Sequence, residues 1–121
     1  MEKNDCPMSI YKEIIDNLVE DSNSITGKLI LNEKIYSRSK DEEIYNNFVS
    51  NLNDKQIIIL ADMMNKERKS AFHDVLASLT WWIDCKEVTL CYEGNEMPVQ
   101  LSGMGLHGDY IGRLSDWDWS E

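Results

Sequence analysis

The sequence predicts an α+β fold: a mainly helical bundle of about four helices with a C-terminal β-hairpin or small antiparallel sheet. Three observations predict it. Apolar residues recur at steps of three and four from Ile10 to Leu18, from Ile44 to Leu52 and from Ile57 to Ile83, which is the period of a helix with one buried face. From Glu87 the period falls to two, and a turn cluster, Glu93-Gly94-Asn95-Glu96, separates two alternating stretches. The 121 residues, 42% hydrophobic and 28% charged, have the size and composition of one globular domain, residues 1–121. A chain of this length buries roughly two-thirds of its unfolded surface without a metal or disulfide staple.

Taken in order, Ile10, Ile14 and Leu18, with Tyr11 and Ile15, place a first helix at about Ser9 to Asp21. Ser9 as N-cap or Pro7 near the first turn opens it. Asp21-Ser22-Asn23-Ser24 ends it, with Gly27 in the following loop. Between residues 24 and 40, Leu29-Ile30-Leu31 reads as either a short strand or a buried turn, and Ser37-Arg38-Ser39-Lys40 as loop. A second helix runs from about Asp41, its N-cap, to Leu52. Its acidic opening, Asp41-Glu42-Glu43, suits the helix dipole, which accounts for that run without a metal.

Asn53 opens a third helical region whose pattern persists to about Asp84. As one rod it would be roughly 45 Å long, so a break near Asn65 is expected, giving helices at about 54–65 and 66–84. The hairpin follows, with Val88, Leu90 and Tyr92 on one strand, Met97, Val99 and Leu101 on the other, and Pro98 at an edge. The expected core is Ile14, Leu18, Phe48, Leu60, Met64, Phe72, Val75, Leu79 and Trp82.

The formal charge of -10, from 12 Lys+Arg against 22 Asp+Glu, argues against a nucleic-acid binder. No basic and apolar leader opens the sequence, and the longest apolar run, Ile57 to Ala61, is far too short to span a membrane. Cys6, Cys85 and Cys91 are too few and odd in number for a disulfide framework, so a reducing, cytoplasmic location is expected.

Gly103-Met-Gly105-Leu-His-Gly108 spells the glycine pattern of a dinucleotide-binding turn after a predicted strand. Its context fails, because only 13 residues follow, Gly112 interrupts a helix, and the surrounding charge is negative. A glycine-dependent tight loop is the expectation. His73 shares a helical face with Ala77, Thr80 and Asp84, opposite the apolar stripe, where the glycine-rich tail is a candidate cover for it and for Trp81. His107 and Asp109 form an acid–base pair that Cys91 would complete as a nucleophile, although no motif surrounds Cys91. The histidine and cysteine spacings predict no metal site, and no cofactor is expected.

The closing segment, Asp109 to Glu121, carries Tyr110, Trp117 and Trp119, residue types that anchor interfaces. Alternation of Trp117 and Trp119 with Asp116 and Asp118 reads as a strand with one aromatic face, closing over the helices beside Trp81 and Trp82. Arg113 is the only basic residue after Lys86 and faces seven acidic residues there, so an internal salt bridge is expected.

The run Asn65-Lys-Glu-Arg-Lys-Ser-Ala-Phe-His-Asp-Val-Leu-Ala-Ser-Leu, the acidic hairpin and the Gly-Arg-Leu-Ser-Asp-Trp-Asp-Trp ending resemble a family of small uncharacterised bacterial proteins over most of the chain. That family implies no activity and no functional residue. The chain is also similar, more loosely, to small acidic immunity-type proteins of bacterial toxin systems.

Two functions are weighed. One is an acidic, non-enzymatic inhibitor (immunity-type) module, plugging a basic partner with Tyr110, Arg113, Asp116, Trp117, Asp118 and Trp119. The acidic excess steers such association, although residues 1–60 sum to -4 and residues 61–121 to -6, an even spread along the chain. The other is a small enzyme or ligand-binding domain using the Gly103–Gly112 loop with His107, Asp109 and either Cys91 or His73. Close approach of the two histidines beside a carboxylate would favour it. A homodimer built on the aromatic tail is a third arrangement.

Overall fold

The structure is a computed structural model that describes residues 6–119. Five α-helices lie among these residues: α1 (Pro7–Asp21), α2 (Ile25–Glu33), α3 (Glu43–Ser50), α4 (Asp54–Lys86) and α5 (Gly105–Leu114). A 3-10 turn, Lys40–Glu42, precedes α3, and the two short strands β1 (Cys91–Tyr92) and β2 (Asn95–Glu96) pair antiparallel. The fold is the expected α+β arrangement. No helix among the described residues is long and apolar enough to cross a membrane.

The chain is divided into two compact units. Unit 1 combines Met1–Asp21 with Ala71–Glu121, and unit 2 is Ser22–Ser70. In unit 1 the core gathers Tyr11 and Ile15 of α1, Leu76 of α4, Met97, and Leu106 and Tyr110 of α5. In unit 2 it gathers Ile30 of α2, Val49 of α3 and Ile57 of α4, with Leu60 and Met64 packed against them.

The helix that sequence missed first is α2. Ser24 caps it by accepting from the Gly27 amide at 3.0 Å, while the Ser24 amide donates to Asn65 Oδ1 at 2.7 Å. Leu29-Ile30-Leu31 is therefore helical, with Ile30 as the core contact. The same bond explains why α4 does not break at Asn65. That side chain is used on the α2 cap, and no glycine or proline lies between Asn53 and Glu87 to stop the helix. Asn53 and Gln56 do open α4 reciprocally, each side chain accepting from the other's amide at 2.9 Å. At α3, Ser39 rather than Asp41 supplies the cap, to the 3-10 turn. At α1, Pro7 takes the first turn, and Cys6 rather than Ser9 precedes the helix: the Cys6 sulfur accepts from the Ser9 amide at 3.5 Å and Ser9 Oγ accepts from the Cys6 amide at 3.1 Å.

The second missed helix is α5. Gly112 does not interrupt it but allows Trp117 to close over it, with ring atoms where a Cβ would stand 3.2 Å away. The helix ends in a Schellman motif. Asp116 adopts φ 64°, the Trp117 amide donates to Gly112 O at 2.8 Å, and the Asp116 amide to Arg113 O at 3.2 Å. This turns the chain back, so the expected aromatic strand is instead a helix followed by a reversal.

The hairpin is shorter than expected. Cys91 pairs with Glu96 and Tyr92 with Asn95, around Glu93 and Gly94 at φ 50° and 81°, the positive values of a type I′ turn. The core register also differs. Val75, at 66% exposure, and Trp82, at 48%, are outside the core, as are the exposed Ile14 and Phe48. Leu76 and Thr80 are the buried positions of that stretch, because α1 and α5 cover the neighbouring face of α4.

Candidate functional site

All of the predicted site residues lie in unit 1, where α5 is docked by α1 and the end of α4. Thr80 joins the two later helices. Its hydroxyl donates to Leu76 O at 2.8 Å and accepts from the Leu106 amide at 2.9 Å, capping α5. Gly105 sits beside it at φ 85°, where a Cβ would stand 2.5 Å from His107 Cε1. The glycine pattern therefore serves a tight helix start with the imidazole folded over it. The glycine-rich segment reaches the face of α4 carrying His73, Thr80 and Asp84, one of the two arrangements the spacing allowed; it buries Thr80, leaves His73 half-buried and Asp84 exposed, and Gln100 donates to Asp84 at 2.8 Å. Trp81 is not covered by that tail. It stacks edge-on with Trp82 and lies beneath the Lys86 ammonium.

The two histidines of the chain, 34 positions apart in sequence, meet edge to face with ring centroids 5.1 Å apart. His73 Nδ1 lies 3.1 Å from Asp74 Oδ1, and His107 Nδ1 lies 3.5 Å from the Thr80 hydroxyl. The sequence offered the glycine-rich tail as a candidate cover for the His73 face but did not fix this contact, which depends on where α5 docks.

Asp109 does not join them. Its carboxylate is fully buried and accepts from the Tyr11 hydroxyl, the Leu101 amide at 2.9 Å and the Ser102 amide at 2.8 Å. The Gln100 amide donates in turn to the Tyr11 oxygen at 3.3 Å. Burial first, and the bond to Asp109 second, push the Tyr11 phenol far above its ordinary range, so it stays a donor. This arrangement fastens the turn before α5 to α1. The expected Cys91–His107–Asp109 grouping is thereby undone at its acid. Cys91 is exposed on β1 with its sulfur 3.8 Å from the Thr89 hydroxyl. Among the described residues no group of three or more His, Cys, Asp or Glu is placed to hold a metal.

The tail residues form a second cluster. Arg113 is paired with Asp16 of α1 through Nε at 2.7 Å and also donates to Trp117 O. Trp119 Nε1 donates to the other Asp16 oxygen at 3.0 Å, and the Arg113 guanidinium lies 5.3 Å from the Trp119 ring. Arg113 thus has its internal salt bridge. Tyr110 is fully buried and offers no surface, Trp117 and Trp119 are half-buried against α5 and α1, and Asp116 and Asp118 face outward.

The electrostatics divide by unit. Unit 1 holds 4 basic and 15 acidic residues, a net -11, whereas unit 2 holds 8 basic and 7 acidic, a net +1. Ten of the described unit 1 carboxylates are exposed; Asp16 is half-buried and Asp109 buried. The described cations of unit 1 lie against tryptophan rings, Lys12 and Arg113 on Trp119 and Lys86 on Trp81. Counting charge along the sequence missed this, because unit 1 is assembled from both ends of the chain.

The family model of DUF6547, a family of unknown function, matches residues 4–121. The chain belongs to that family. The DUF6547 match takes in the sequence of both units, so the acidic unit and its near-neutral partner are parts of one family unit. No curated protein and no solved structure matches the chain.

Proposed function

We propose that this chain is a non-enzymatic, acidic protein-binding module, of the inhibitor or immunity type, whose unit 1 engages a basic partner. One observation carries the reading: the sequence of unit 1 sums to -11, and ten of its twelve described carboxylates are exposed. Such a field raises the rate of encounter with a basic cleft, such as one shaped for nucleic acid, and disfavours neutral or acidic competitors. Asp116 and Asp118, with the half-buried Trp117 and Trp119, supply the mixed acidic and aromatic edge that such a partner would meet. The module acts in a soluble, cytoplasmic setting in this reading.

Capture from the source organism at low and at high salt, with mass spectrometry of the eluate, tests it. A single basic protein held at low salt, shed at high salt and lost on Glu87→Gln, Glu93→Gln, Glu96→Gln and Asp116→Gln together supports the reading. Recovery of the same partner by that variant, or of the chain alone, overturns it.

A second reading, a small enzyme or ligand-binding domain, is favoured by the contact between His73 and His107 beside Asp74. It now excludes Asp109 as the acid. His73→Gln with His107→Gln separates the two readings, because it abolishes a histidine-dependent activity and leaves capture of a basic partner intact.

A further inference from the structure

We infer that unit 2 pairs with unit 2 of a second copy of this chain through the open groove between α3 and the first turns of α4. The groove, about 270 Å³, is lined by Phe48 and Leu52 on one side and by Gln56, Ile59, Leu60 and Met63 on the other. Residues 56, 59, 60 and 63 share one face of α4, and residues 44, 45 and 48 share one face of α3.

Three observations choose the occupant. First, the patch is self-complementary. Phe48 stands between this groove and a second one of about 180 Å³, lined by Tyr36, Tyr45, Val49 and Met64 among others, so one patch carries a knob and a hole on each side of it. A two-fold pairing sets each Phe48 into the other copy's groove, as an isologous interface requires. Second, the area fits. Ile44, Tyr45, Phe48, Ile59 and Met63 are between 51% and 72% exposed. At roughly 200 Å² per large side chain they present on the order of 600 Å², at the top of the ~300–600 Å² range of the largest patch on a typical monomer and approaching the ~800 Å² per partner of a standard interface. Third, the charge permits it. Unit 2 is +1 and meets its own copy without repulsion, whereas the -11 of unit 1 opposes any like-to-like contact there. The half-buried Trp117 and Trp119, the expected dimer anchors, offer less apolar surface than this groove.

Sedimentation equilibrium of the full chain from about 1 to 100 µM tests the inference, with circular dichroism as the folding control. The expected result is a species of twice the chain mass whose association is unchanged or strengthened by 0.5 M salt. Phe48→Glu and Met63→Glu, both at exposed positions, weaken it by about 30-fold or more, the effect of a central interface residue. Ile25→Glu, at an exposed position outside the groove, leaves it intact. A wild-type monomer at 100 µM overturns the inference, as does equal sensitivity to all three variants. A monomer whose Phe48 and Met63 resonances shift on adding an amphipathic helical peptide overturns it in favour of a foreign helix. Capture of a basic partner by the folded Phe48→Glu chain tests the acidic-unit reading separately, so either can fail without the other.

Discussion

Unit 1 and unit 2 are stabilised by different means. Unit 1 joins segments nearly a chain length apart through polar fasteners: Tyr11 to Asp109, separated by 98 residues, and Asp16 to Arg113 and Trp119, separated by 97 and 103. Unit 2 uses side-chain bonds to backbone over shorter separations, 9 and 10 residues at Asn46 and 41 at Asn65. Asn46 Oδ1 accepts from the Tyr36 and Ser37 amides at 2.6 and 3.0 Å, and Asn65 bonds the Ser24 amide. The surfaces differ in the same direction. Unit 1 buries Tyr11 and Tyr110, half-buries Trp117 and Trp119, leaves Trp81 and Trp82 exposed and displays carboxylates, whereas unit 2 displays Ile44, Tyr45 and Phe48. The long-range polar fasteners of unit 1 place the acidic segments from both chain ends in one body. That placement converts an excess spread evenly along the sequence into a concentrated charge.

Removing the central fastener of unit 1 is the most damaging way to break this comparison. Asp109→Ala leaves the Tyr11 hydroxyl and the Leu101 and Ser102 amides without their acceptor. At about 1–3 kcal/mol per buried unsatisfied group, partly relieved by relaxation, the loss should be about 3–5 kcal/mol. Chemical denaturation measures it. Hydrogen exchange should show protection lost first in α1 and α5, with α2 and α3 retained. Uniform loss across both units would show that the fastener matters to the whole chain equally.

The two units were also unequally legible in sequence. The helix α1, the extent of helical pattern from Asp54 to about Asp84 and the location of the hairpin follow from periodicity and turn residues, since each is set locally, whereas the break expected near Asn65 is absent because that side chain serves the α2 cap. The core register of α4 did not follow. Val75 and Leu76 are adjacent candidates on the wheel, and only the docking of α1 and α5 decides between them. Helix α5 was hidden because Gly105, Gly108 and Gly112 lower its intrinsic propensity, while their purpose is close approach by His107, Met104 and Trp117. Helix α2 was hidden by its short apolar run, which fits either period. Of the site, the Arg113 ion pair was readable from its being the lone cation of an acidic stretch. Asp109 was noticed as an acid beside His107, but its partners Tyr11, Leu101 and Ser102 are tertiary choices.

The next change sharpens the same fastener through pH. In Tyr11→Phe, Asp109 loses one donor and the Gln100 amide its acceptor, costing about 1.5–3 kcal/mol at neutral pH. The folded phenol titrates well above its unfolded counterpart, held there by burial and by the Asp109 carboxylate. Its stabilisation is therefore complete below the ordinary phenol range, about pH 10, and falls as pH rises beyond it. The stability gap between wild type and Tyr11→Phe should be constant from pH 6 to 9 and narrow at pH 10 and above. A gap that widened with alkali would mean that the folded phenol ionises more easily than the unfolded one.

The smallest effect concerns the neighbouring tyrosine, and its sign sets the two apart. Tyr110 is as buried as Tyr11, yet its hydroxyl has no hydrogen-bond partner among the described residues. It packs against Phe72 with centroids 6.0 Å apart, which a phenylalanine would preserve. An orphaned buried hydroxyl opposes folding, so Tyr110→Phe removes a desolvation cost without opening a cavity. The expected change is a gain of about 1 kcal/mol or less, read as a slightly higher denaturation midpoint with an unchanged slope. Two buried phenols on facing helices would then respond to the same substitution in opposite directions. The aromatic ring contributes to the unit 1 core at both positions, while the hydroxyl stabilises the fold only where Asp109 accepts from it.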